Sequence, residues 1–571
     1  MDSKIKKMDS LKDIINIKCD MFKDKVAFLD KEGTKEFKKI TYSKVKEDVN
    51  ALGTMMIKKL GLKDQKIAVI GENSYKWYAT YMAVVCGVGV IVPLDKELPS
   101  NEILNLIQRS GAKAICYSSR RKEKVEEIMD KLPFDMTYIE MGKEKSDKKV
   151  YAFDELVEKG KAIIEKGDNF YEKIEIDEEK FSVLLFTSGT TDKAKGVMLN
   201  HRNLTSNIYS CNMIVPNFYK YTSLSILPLH HTYEFTLDYL FMTSVGATVG
   251  ICEGLKYVTK NLQEIKPDFI LAVPALIERM YQRIDKKIRE TGKDKLIKAL
   301  GSVALGFNKI GIDFRRSLFK KVHQSLGGNL KYIFCGAAPL DPELITKMES
   351  LGFNFLQGYG LTETSPLSAG TSMKFDADGT VGKAVEGTEI RIDLSGNEDE
   401  NSNVGEIIVK GPNVMMGYYE NESETKKALR KGWFYTGDIG YFDLRGNLVI
   451  TGRSKNVIVT QNGKKIFPEE IETMINKIDL VNESMVYGKK EDKEELVVTA
   501  RVTLNEEYIK EKYKDARPTD EEIYDLIWNE IKKINRNLVQ YKAVKKLEIK
   551  NEDFVKTTTM KIKRFEEVKK K

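Results

Sequence analysis

The sequence predicts an α/β fold: a large N-terminal domain of doubly wound, mostly parallel sheets with a β-rich subdomain, followed by a small α+β C-terminal domain. Three observations support this prediction. The chain has 571 residues, which is too long for one ordinary hydrophobic core. From Lys66 onward, strand-like apolar runs alternate with helix-like segments, as they do in βαβ units. From Thr380 the pattern changes to short strands separated by glycine turns.

The first alternating segment starts at the strand-like K-I-A-V-I-G and continues through an amphipathic stretch that ends at Cys86. V-I-V-P-L, a helix-like segment from Ser100 to Ser110 and K-A-I-C-Y follow in order. The alternation recurs at D-F-I-L-A-V-P followed by A-L-I-E-R-M-Y-Q-R-I, and at L-K-Y-I-F-C-G followed by L-D-P-E-L-I-T-K-M. We therefore expect parallel sheets with helices on their faces.

The segment from Trp77 to Leu94 has no charged residue and just reaches the ~18 residues needed for a membrane span. Gly87, Gly89 and Pro93 divide it into a helix-like half and a strand-like half. It is interpreted as a buried helix followed by a parallel strand.

Two loops are predicted to bind a ligand. In open parallel sheets ligands lie beyond the carboxyl ends of the strands, where C-G-A-A-P-L (335–340) and Q-G-Y-G-L-T-E-T (357–364) fall. The β-rich subdomain is predicted to end near Gly452, so the two domains are expected to comprise residues 1–452 and 453–571.

Charge and composition narrow the class of protein. The net charge of +8 is spread over 93 basic and 85 acidic residues, which does not indicate a nucleic-acid partner. The basic end, K-I-K-R-F-E-E-V-K-K-K, is interpreted as a solvated tail, with weak peripheral membrane contact as the second interpretation. Six scattered cysteines without a C-x-x-C pair, and no apolar segment after the N-terminal charges, predict a cytoplasmic protein without disulfides.

One segment from Phe186 to Met198, F-T-S-G-T-T-D-K-A-K-G-V-M, indicates phosphate binding. Its hydroxyl residues and glycines allow backbone N–H groups to approach an anion, and Lys193 and Lys195 add positive charge. Apolar runs on both sides predict a strand-loop-strand hairpin. Gly189 does not begin the spacing of a Walker-type loop that opens a helix, so a different kind of phosphate loop is expected.

Six motifs occur in the order found in the AMP-forming adenylating enzymes: T-S-G-T-T-D-K-A-K-G, L-P-L-H-H-T-Y-E, Q-G-Y-G-L-T-E-T, W-F-Y-T-G-D, T-G-R-S-K-N and T-T-T-M-K-I-K-R. Over essentially its whole length the chain resembles an acyl-CoA synthetase of that superfamily, and most of all the long-chain fatty acid–CoA ligases. The resemblance implies that ATP and Mg²⁺ activate a fatty acid of medium to long chain to acyl-AMP, with release of pyrophosphate. Coenzyme A then takes the acyl group and AMP leaves.

The resemblance also implies roles for residues at matching positions. Lys561 in T-T-T-M-K matches the catalytic lysine that neutralises carboxylate and α-phosphate. Glu363 in G-L-T-E-T matches the magnesium-binding carboxylate, and Thr187 is a second candidate ligand. His231 would border the acyl carboxylate and help to shape the channel that leads to it.

A larger set of residues is implied to bind the nucleotide. The residues of the phosphate loop are Thr187, Ser188, Gly189, Thr190, Thr191 and Lys195. The residues around adenine and the α-phosphate are Gly336, Ala337, Ala338, Gly358, Tyr359, Gly360 and Thr362. Among these, Tyr359 would stack on adenine and Thr362 would contact the α-phosphate. Asp438 would accept hydrogen bonds from the ribose hydroxyls, and Arg453 would also contact the nucleotide.

The C-terminal domain is implied to be mobile. Lys455 occupies the hinge position, about which this domain would rotate after adenylation. Lys464 and Lys465 are then candidates for contact with CoA, with solvated loop lysines as the alternative. Trp77 and Phe235 are interpreted as core aromatics rather than as gates of an acyl channel.

Four positions depart from the family's usual pattern. Asp192 stands where glycine is usual and Ala194 where proline is usual, so the phosphate loop carries an additional negative charge. Val555 and Met560 replace the proline and glycine that commonly flank the catalytic lysine. The path of the chain around Lys561 is therefore left open by the sequence.

Three alternatives to a fatty acid–CoA ligase remain. The enzyme could activate an aryl or short-chain acid, or pass the acyl group to a carrier protein instead of CoA. A non-catalytic nucleotide-binding homologue is the third. The sequence does not determine the acyl chain length, and it leaves both a monomer and a homodimer open.

Overall fold

The computed structural model describes residues 7–133, 135–187, 194–215, 218–372, 379–395, 402–460, 464–490, 496–514, 516–557 and 561–569. The chain divides into a larger unit, Met1–Ile390 with Val409–Phe434, and a smaller unit, Arg391–Ile408 with Tyr435–Lys571. The predicted α/β class with mostly parallel sheets is confirmed.

The larger unit contains an eight-stranded sheet that carries the predicted phosphate hairpin at one end. Its strands, in spatial order, are Gly417–Tyr418, Lys195–Asn200, Phe181–Thr187, Gly89–Leu94, Gln65–Ile70, Ala114–Tyr117, Thr137–Glu140 and Val150–Ala152. The six strands from Phe181–Thr187 to Val150–Ala152 are parallel, whereas the first two pair antiparallel. The strands and helix predicted between Lys66 and Tyr117 are confirmed here.

A nine-stranded sheet of the larger unit carries the other predicted ligand loops. Its strands, in spatial order, are Lys383–Ala384, Leu367–Gly370, Asn354–Gly360, Tyr332–Cys335, Phe269–Ala272, Thr222–Ser225, Thr248–Ile251, Val26–Asp30 and Lys38–Thr41. Six strands in the middle, from Asn354–Gly360 to Val26–Asp30, are parallel. Loop 335–340 begins at the carboxyl end of strand Tyr332–Cys335, as predicted. The prediction of a loop over 357–364 is wrong in its first half, because Gln357 to Gly360 pair within strand Asn354–Gly360 and only 361–364 follow that strand.

Helices cover the two sheets of the larger unit. Its α-helices are Cys19–Met21, Tyr42–Lys58, Tyr75–Ala83, Ser100–Ser110, Lys122–Met129, Phe153–Glu165, His201–Ile214, Thr232–Glu234, Phe241–Val245, Val258–Ile265, Pro274–Glu290, Asp294–Lys309, Arg315–Leu318, Lys320–Ser325, Pro342–Ser350 and Glu422–Ala428. Short π-helical turns are Ile14–Lys18, Val84–Val88 and Phe235–Leu240, and short 3₁₀ turns are Ser119–Arg121, Phe218–Lys220, Leu255–Tyr257 and Thr362–Thr364. The helix from Ser100 ends because Gly111 adopts a left-handed conformation with φ of 67°.

The segment from Trp77 to Leu94 forms a helix, a π-helical turn and the buried strand Gly89–Leu94. That strand pairs in parallel with Gln65–Ile70, so the interpretation as a buried helix and a parallel strand is confirmed. Among the described residues no helix is both long and apolar enough to cross a bilayer.

The boundaries between the two units fall within the β-rich region, for which short strands were predicted. Strands of this region are Glu389–Asp393, Gly405–Lys410, Leu429–Arg430, Trp433–Phe442 and Leu448–Arg453. The last two pair antiparallel and place Asp438 directly opposite Arg453.

The smaller unit has an apolar core of its own, formed by residues between Ile458 and Leu547. A two-stranded sheet, Ile458–Val459 with Lys465–Ile466, and a three-stranded sheet, Val481–Lys490, Leu496–Leu504 and Lys546–Lys550, provide its strands. Its helices are Pro468–Ile475, Glu506–Tyr513, Asp520–Arg536 and Arg564–Lys569, with a 3₁₀ turn at Gln540–Lys542. The predicted compact α+β character of this part of the chain is confirmed.

Candidate functional site

The predicted strand-loop-strand hairpin is present at the start of the candidate site. Thr187 ends one strand opposite Lys195, which begins the next, and the Thr187 hydroxyl donates to the Lys195 carbonyl at 3.4 Å. The predicted phosphate ligands Ser188, Gly189, Thr190 and Thr191 lie outside the described residues, as do Asp192 and Lys193. The structure therefore defines the two ends of the predicted phosphate loop.

Lys195 is held by residues far along the chain. Its ammonium pairs with the carboxylate of Glu424 and lies 4.8 Å from the ring centre of Tyr418. Lys427 donates to the other carboxylate oxygen of Glu424 at 2.8 Å. These two ammonium groups, with Lys195 contributing most, lower the pKa of Glu424 to about 2, so its carboxylate stays ionised.

Ala194, which stands where proline is usual, is fixed from the neighbouring helix. The guanidinium of Arg109 donates to the Ala194 carbonyl at 2.7 Å and lies over the ring of Phe186, 5.3 Å from its centre. A cavity of about 320 Å³ opens beside this contact, and its lining includes Arg109, Lys195 and Glu424. The base of the hairpin is therefore anchored on both strands.

Glu363 lies in the 3₁₀ turn Thr362–Thr364, beyond the end of strand Asn354–Gly360. The hydroxyl of Tyr418 donates to Glu363 Oε1 at 2.9 Å, and the Met415 backbone N–H donates to the Glu363 carbonyl at 2.8 Å. Burial and the charge of Glu363 raise the pKa of Tyr418, so its hydroxyl keeps the proton that it donates. Tyr418 thus contacts both Lys195 and Glu363.

Two buried asparagines anchor the turn that carries Glu363. Asn207 donates to the carbonyls of Thr364 and Leu367, both at 3.1 Å, and accepts from the Leu367 N–H at 2.9 Å. Asn413 donates to the same two carbonyls at 3.2 and 3.0 Å. Because each asparagine is at least 46 residues from the turn in sequence, local motifs gave no signal of this support.

The loop predicted to line the adenine pocket follows strand Tyr332–Cys335. Gly336 is buried, Ala337 is half-buried with a left-handed φ of 72°, and Ala338 is exposed. A Cβ at Gly336 would lie 3.2 Å from the Tyr233 ring, so glycine permits this close approach. The Tyr233 hydroxyl donates to the carbonyls of Ala272 and Phe334 at 3.1 and 3.0 Å.

The second predicted nucleotide loop ends the adjacent strand. Gly358 and Tyr359 pair with Gly370 and Ala369, and Tyr359 is 7% exposed. A Cβ at Gly360 would meet the Pro366 carbonyl at 1.7 Å, so only glycine fits there. Thr362 follows directly in the turn that carries Glu363.

His231 lies at the start of the short helix Thr232–Glu234, at the carboxyl end of strand Thr222–Ser225. Its carbonyl accepts from the Phe235 N–H at 3.0 Å, and its ring lies 4.0 Å from that of His230. Burial, with a smaller effect of nearby Lys96, lowers the pKa of His230 to about 3, which keeps that ring neutral.

Trp77 and Phe235 are buried neighbours whose ring centres lie 5.1 Å apart. Tyr81 packs on Phe235 at 4.0 Å, so the interpretation as core aromatics is confirmed. Two buried carboxyl groups, Glu234 and Asp238, lie beside this cluster. Desolvation raises the pKa of Glu234, with the charge of Asp238 adding to it, and desolvation also raises the pKa of Asp238 to about 7.

In the smaller unit the two residues predicted to bind the nucleotide form an ion pair. Arg453 Nε donates to Asp438 Oδ1 at 2.8 Å across the strand pair. The Asp438 side chain is 6% exposed, whereas that of Arg453 is 44% exposed. Glu406 accepts from the N–H of Gly437, the strand residue before Asp438, at 2.9 Å.

The predicted hinge and CoA-contact lysines lie close together in sequence. Lys455 is exposed in a turn closed by backbone hydrogen bonds from Asn456 and Val457 to the Arg453 carbonyl. Lys464 and Lys465 are also exposed, and Lys464 lies 5.6 Å from the ring centre of Tyr541.

Lys561 is exposed, and residues 558–560 before it lie outside the described residues. The Thr557 N–H donates to the Lys561 carbonyl at 2.8 Å, and the Lys561 N–H donates to the Thr557 hydroxyl at 3.2 Å. Lys556 pairs with Ile562 as an antiparallel bridge, and we call the paired segments 555–557 and 561–563 the Lys561 hairpin. The departure at Met560 falls on a residue that is not described.

Val555 has a contact that the family's usual proline could not make. Its N–H donates at 2.8 Å to Oε1 of Glu567, whose side chain is fully buried. A proline has no N–H and would leave that oxygen without this donor. At the other side of the hairpin, Arg564 pairs with Glu472 and donates to the Val486 carbonyl at 3.0 Å.

Comparisons with known proteins agree with these motifs. The family model "AMP-binding enzyme" matches residues 16–419, and the model "AMP-binding enzyme C-terminal domain" matches residues 455–570. The chain belongs to the AMP-binding enzyme family. The resemblance to AMP-forming adenylating enzymes that the motifs predicted is thereby confirmed.

Three relatives of this AMP-binding enzyme illustrate the range of the family. Long-chain-fatty-acid–CoA ligase 5 of Rattus norvegicus is 30% identical over 494 residues, which cover 79% of this chain and 69% of the relative. A chloroplastic long-chain-fatty-acid–acyl-carrier-protein ligase of Arabidopsis thaliana is 26% identical, covering 84% and 74%. The crystal structure of an anthranilate CoA ligase with anthranoyl-AMP shares the fold with a TM-score of 0.77, at 18% identity and coverage of 98% and 96%.

Proposed function

We propose that this enzyme uses ATP to convert a fatty acid, of medium to long chain, to acyl-AMP and then transfers the acyl group to CoA. Its long-chain-fatty-acid–CoA ligase relatives, at about 28 to 30% identity, support a fatty acid as the substrate. The protein is accordingly an AMP-forming acyl-CoA synthetase, an acid–thiol ligase.

One observation carries the assignment of residues. Tyr418 contacts the phosphate-loop lysine Lys195 through its ring and the proposed metal ligand Glu363 through its hydroxyl. A cation for the phosphates and a carboxylate for a metal are therefore held by one side chain. A metal–nucleotide complex presents phosphate oxygens and a cation, so a lysine and a carboxylate held by one side chain support this assignment.

The adenylation step joins two anions. A carboxylate oxygen of the acid attacks the α-phosphorus of ATP, the bond to the bridging oxygen breaks, and pyrophosphate leaves. We assign to Lys195 and to Lys561 the neutralisation of charge on the phosphates and on the reacting carboxylate, respectively. Thr362 is assigned to the α-phosphate, Tyr359 to adenine and Asp438 with Arg453 to the ribose side of the nucleotide.

Mg²⁺ fits the residues present at Glu363. In the part of the chain that the structure describes, no group of three His, Cys, Asp or Glu side chains could hold a metal. Mg²⁺ needs no such group, since it is commonly bound by one or two carboxylates together with substrate phosphates and water. Glu363 would supply the carboxylate and Thr187 is a second candidate. When bound, the ion would neutralise phosphate oxygens.

In the second step the CoA sulfur attacks the acyl carbon, the bond to the AMP oxygen breaks and AMP leaves with its electron pair. We propose a domain boundary between residues 452 and 453, with rotation about Lys455 before this step. The separate apolar core between Ile458 and Leu547 supports such a domain. Lys464 and Lys465 are the candidates for contact with the CoA phosphates.

The separation of the two steps gives a direct test. Lys561→Ala should abolish acyl-AMP formation from ATP and dodecanoate, because the carboxylate and α-phosphate would then meet without this cation. The same variant should still form dodecanoyl-CoA from supplied dodecanoyl-AMP and CoA. Lys563→Ala, a lysine of the same hairpin that pairs with Glu566, is the matched control. Equal loss of both half-reactions in Lys561→Ala would refute the assigned role.

A carrier protein is the second candidate acceptor. The acyl-carrier-protein ligase of Arabidopsis thaliana among the relatives supports this candidate. Supplying equal concentrations of CoA and holo-acyl carrier protein with ATP and dodecanoate would distinguish the two. We expect dodecanoyl-CoA as the main thioester. If dodecanoyl-acyl carrier protein is the main product instead, the acceptor is the carrier protein and the CoA proposal is wrong.

The partners of the protein are otherwise small molecules. We propose the cytoplasm as its compartment, supported by scattered cysteines without a pairing motif, and weak peripheral contact with a membrane. No nucleic-acid partner is proposed. A monomer and a homodimer are both compatible with the proposed chemistry.

A further inference from the structure

Arg564, three residues after Lys561, places its charge against the interior of the smaller unit. Its Nη2 pairs with the carboxylate of Glu472, and its Nη1 donates to the Val486 carbonyl at 3.0 Å. The Arg564 side chain is 23% exposed and that of Glu472 is 11% exposed. A planar guanidinium can make both contacts at once, whereas the ammonium of a lysine presents a single point of charge.

Glu472 is itself fixed by the strand that it faces. It lies in helix Pro468–Ile475, and its Oε1 accepts from the Val486 backbone N–H. Val486 thus donates to Glu472 and accepts from Arg564, which closes a ring of three residues. Desolvation raises the pKa of Glu472, and the charge of Arg564 opposes that shift. The arginine therefore favours the ionised carboxylate with which it pairs.

Both segments of the Lys561 hairpin are anchored by ion pairs. In the segment before Lys561, Lys556 pairs with Glu483 at 2.6 Å. Directly after the second segment, Arg564 is held by Glu472. Lys561 therefore lies between two cations that are each paired with a carboxylate of the same unit.

The helix that holds Arg564 also contacts the turn of the proposed hinge residue Lys455. Glu469, in the first turn of that helix, accepts from Asn456 Nδ2 at 2.7 Å through its Oε1. The same oxygen lies 3.8 Å from the Arg564 guanidinium. One helix thus connects the residue after the hinge with the cation beside Lys561. A rotation about Lys455 would carry these groups together.

We infer that Arg564, held by Glu472, is a positioning residue for Lys561 in adenylation, an inference that rests on the proposed function. Lys561 is exposed, so the place of its ammonium depends on how the adjacent residues are fixed. Displacing a catalytic group by about 1 Å can cost about 100-fold in rate. Arg564 acts through Lys561 and needs no contact with the substrate. A role in folding alone would instead lower both half-reactions equally, because it would only reduce the amount of folded protein.

The experiment compares Arg564→Lys with Arg517→Lys, a change at an arginine of the same unit that pairs with Glu506 at 3.0 Å. Arg564→Lys keeps the charge but loses the two simultaneous contacts. Its kcat for pyrophosphate release from ATP and dodecanoate should fall by about tenfold or more, with KM for ATP within about twofold of wild type. Dodecanoyl-CoA formation from supplied dodecanoyl-AMP should also stay within about twofold. Glu472→Gln should show the same split, and Arg517→Lys should match wild type.

Hydrogen exchange followed by mass spectrometry gives a readout that needs no substrate. The Thr557 and Lys563 amides donate across the Lys561 hairpin, and their peptide should exchange about tenfold faster or more in Arg564→Lys. Peptides of helix Asp520–Arg536 should exchange as in wild type, which shows that the variant is folded. If they do not, Glu472→Gln decides by the same criteria.

Unchanged adenylation in Arg564→Lys would overturn the proposal, and so would equal loss of both half-reactions or unchanged exchange of the hairpin peptide. These outcomes refute only the positioning role when wild-type protein is active. If wild-type protein releases no pyrophosphate with any acid, the proposed function itself fails and the positioning role fails with it.

Discussion

The ammonium of Lys195 is paired with the carboxylate of Glu424, 229 residues further along the chain. Lys195 is one of two lysines in the predicted phosphate loop, and in this structure its charge is paired with a protein carboxylate. Both side chains are partly exposed, at 19% and 29%. If Lys195 binds the phosphates of ATP, as we propose, Glu424 would compete with those phosphates for the same ammonium group.

Glu424→Gln should lower the KM for ATP by about three- to tenfold, since an unpaired ammonium binds phosphate more strongly. The measurement is the initial rate of pyrophosphate release against ATP concentration at saturating dodecanoate. Glu422→Gln, on the same helix and paired with Lys426, is the matched control and should leave KM unchanged. A higher KM in Glu424→Gln would show that the carboxylate positions Lys195 for ATP instead of competing with it.

Tyr418→Phe keeps the ring beneath Lys195 but removes the hydroxyl that donates to Glu363. Loss of one hydrogen bond to a carboxylate costs about 1.5 to 3 kcal/mol, so the Mg²⁺ concentration for half-maximal activity should rise by roughly 10-fold or more. A Mg²⁺ titration at fixed ATP measures this. Tyr419→Phe, the adjacent change, should behave as wild type. An unchanged Mg²⁺ requirement in Tyr418→Phe would remove Glu363 from the proposed metal site.

Val555→Pro tests whether the path of the Lys561 hairpin matters for adenylation when Lys561 itself is unchanged. The substitution removes the N–H that donates to buried Glu567, which should lower the free energy of unfolding by about 1 to 3 kcal/mol. Adenylation should fall at least tenfold, whereas thioester formation from supplied acyl-AMP should persist. Val555→Ala retains the N–H and is the control. If the proline and alanine variants match in stability and in both half-reactions, this hydrogen bond does not set the path of the hairpin.

The raised pKa of the buried Asp238 predicts how the free energy of unfolding depends on pH. Its pKa is raised by burial from 3.8 to about 7, so between these values the folded protein keeps a proton that the unfolded chain has released. The free energy of unfolding should therefore fall as pH rises from 4 to 7, with a slope of up to about 1.4 kcal/mol per pH unit from this group. Above pH 7 this contribution should level off.

Urea unfolding followed by tryptophan fluorescence measures this dependence, because Trp77 lies in the adjacent aromatic cluster. Asp238→Asn should flatten the slope between pH 4 and 7, whereas Asp135→Asn, at a side chain that is 66% exposed, should not. A slope in Asp238→Asn equal to that of wild type would mean that Asp238 is ionised in the folded protein throughout this range.

Much of the fold could be predicted because its signals are local. The helix Ser100–Ser110 and the strands around it follow from apolar spacing and from glycine positions, and the hairpin from Phe181 to Asn200 follows from apolar runs on both sides of a polar loop. Glu363, Asp438 and Lys561 are selected as candidate site residues from motif order alone, and their roles stay predictions. Each of these inferences uses residues that are neighbours in sequence.

The support of the candidate site could not be predicted in this way. Tyr418, Glu424 and Asn207 contact Glu363, Lys195 and Thr364 across 55, 229 and 157 residues. Such contacts depend on how strands and helices pack in three dimensions. Composition and the spacing of residues along the chain do not predict that packing.

Carboxylate-dependent release of pyrophosphate tests the central claim most directly. Purified protein with ATP and Mg²⁺, and without CoA, should be given acetate, benzoate and straight-chain acids from four to eighteen carbons. We expect release above the acid-free rate with medium- and long-chain acids, accompanied by acyl-AMP, and little with acetate or benzoate. Release with none of the acids would contradict the account, and activity confined to benzoate or acetate would assign the enzyme to a different acid.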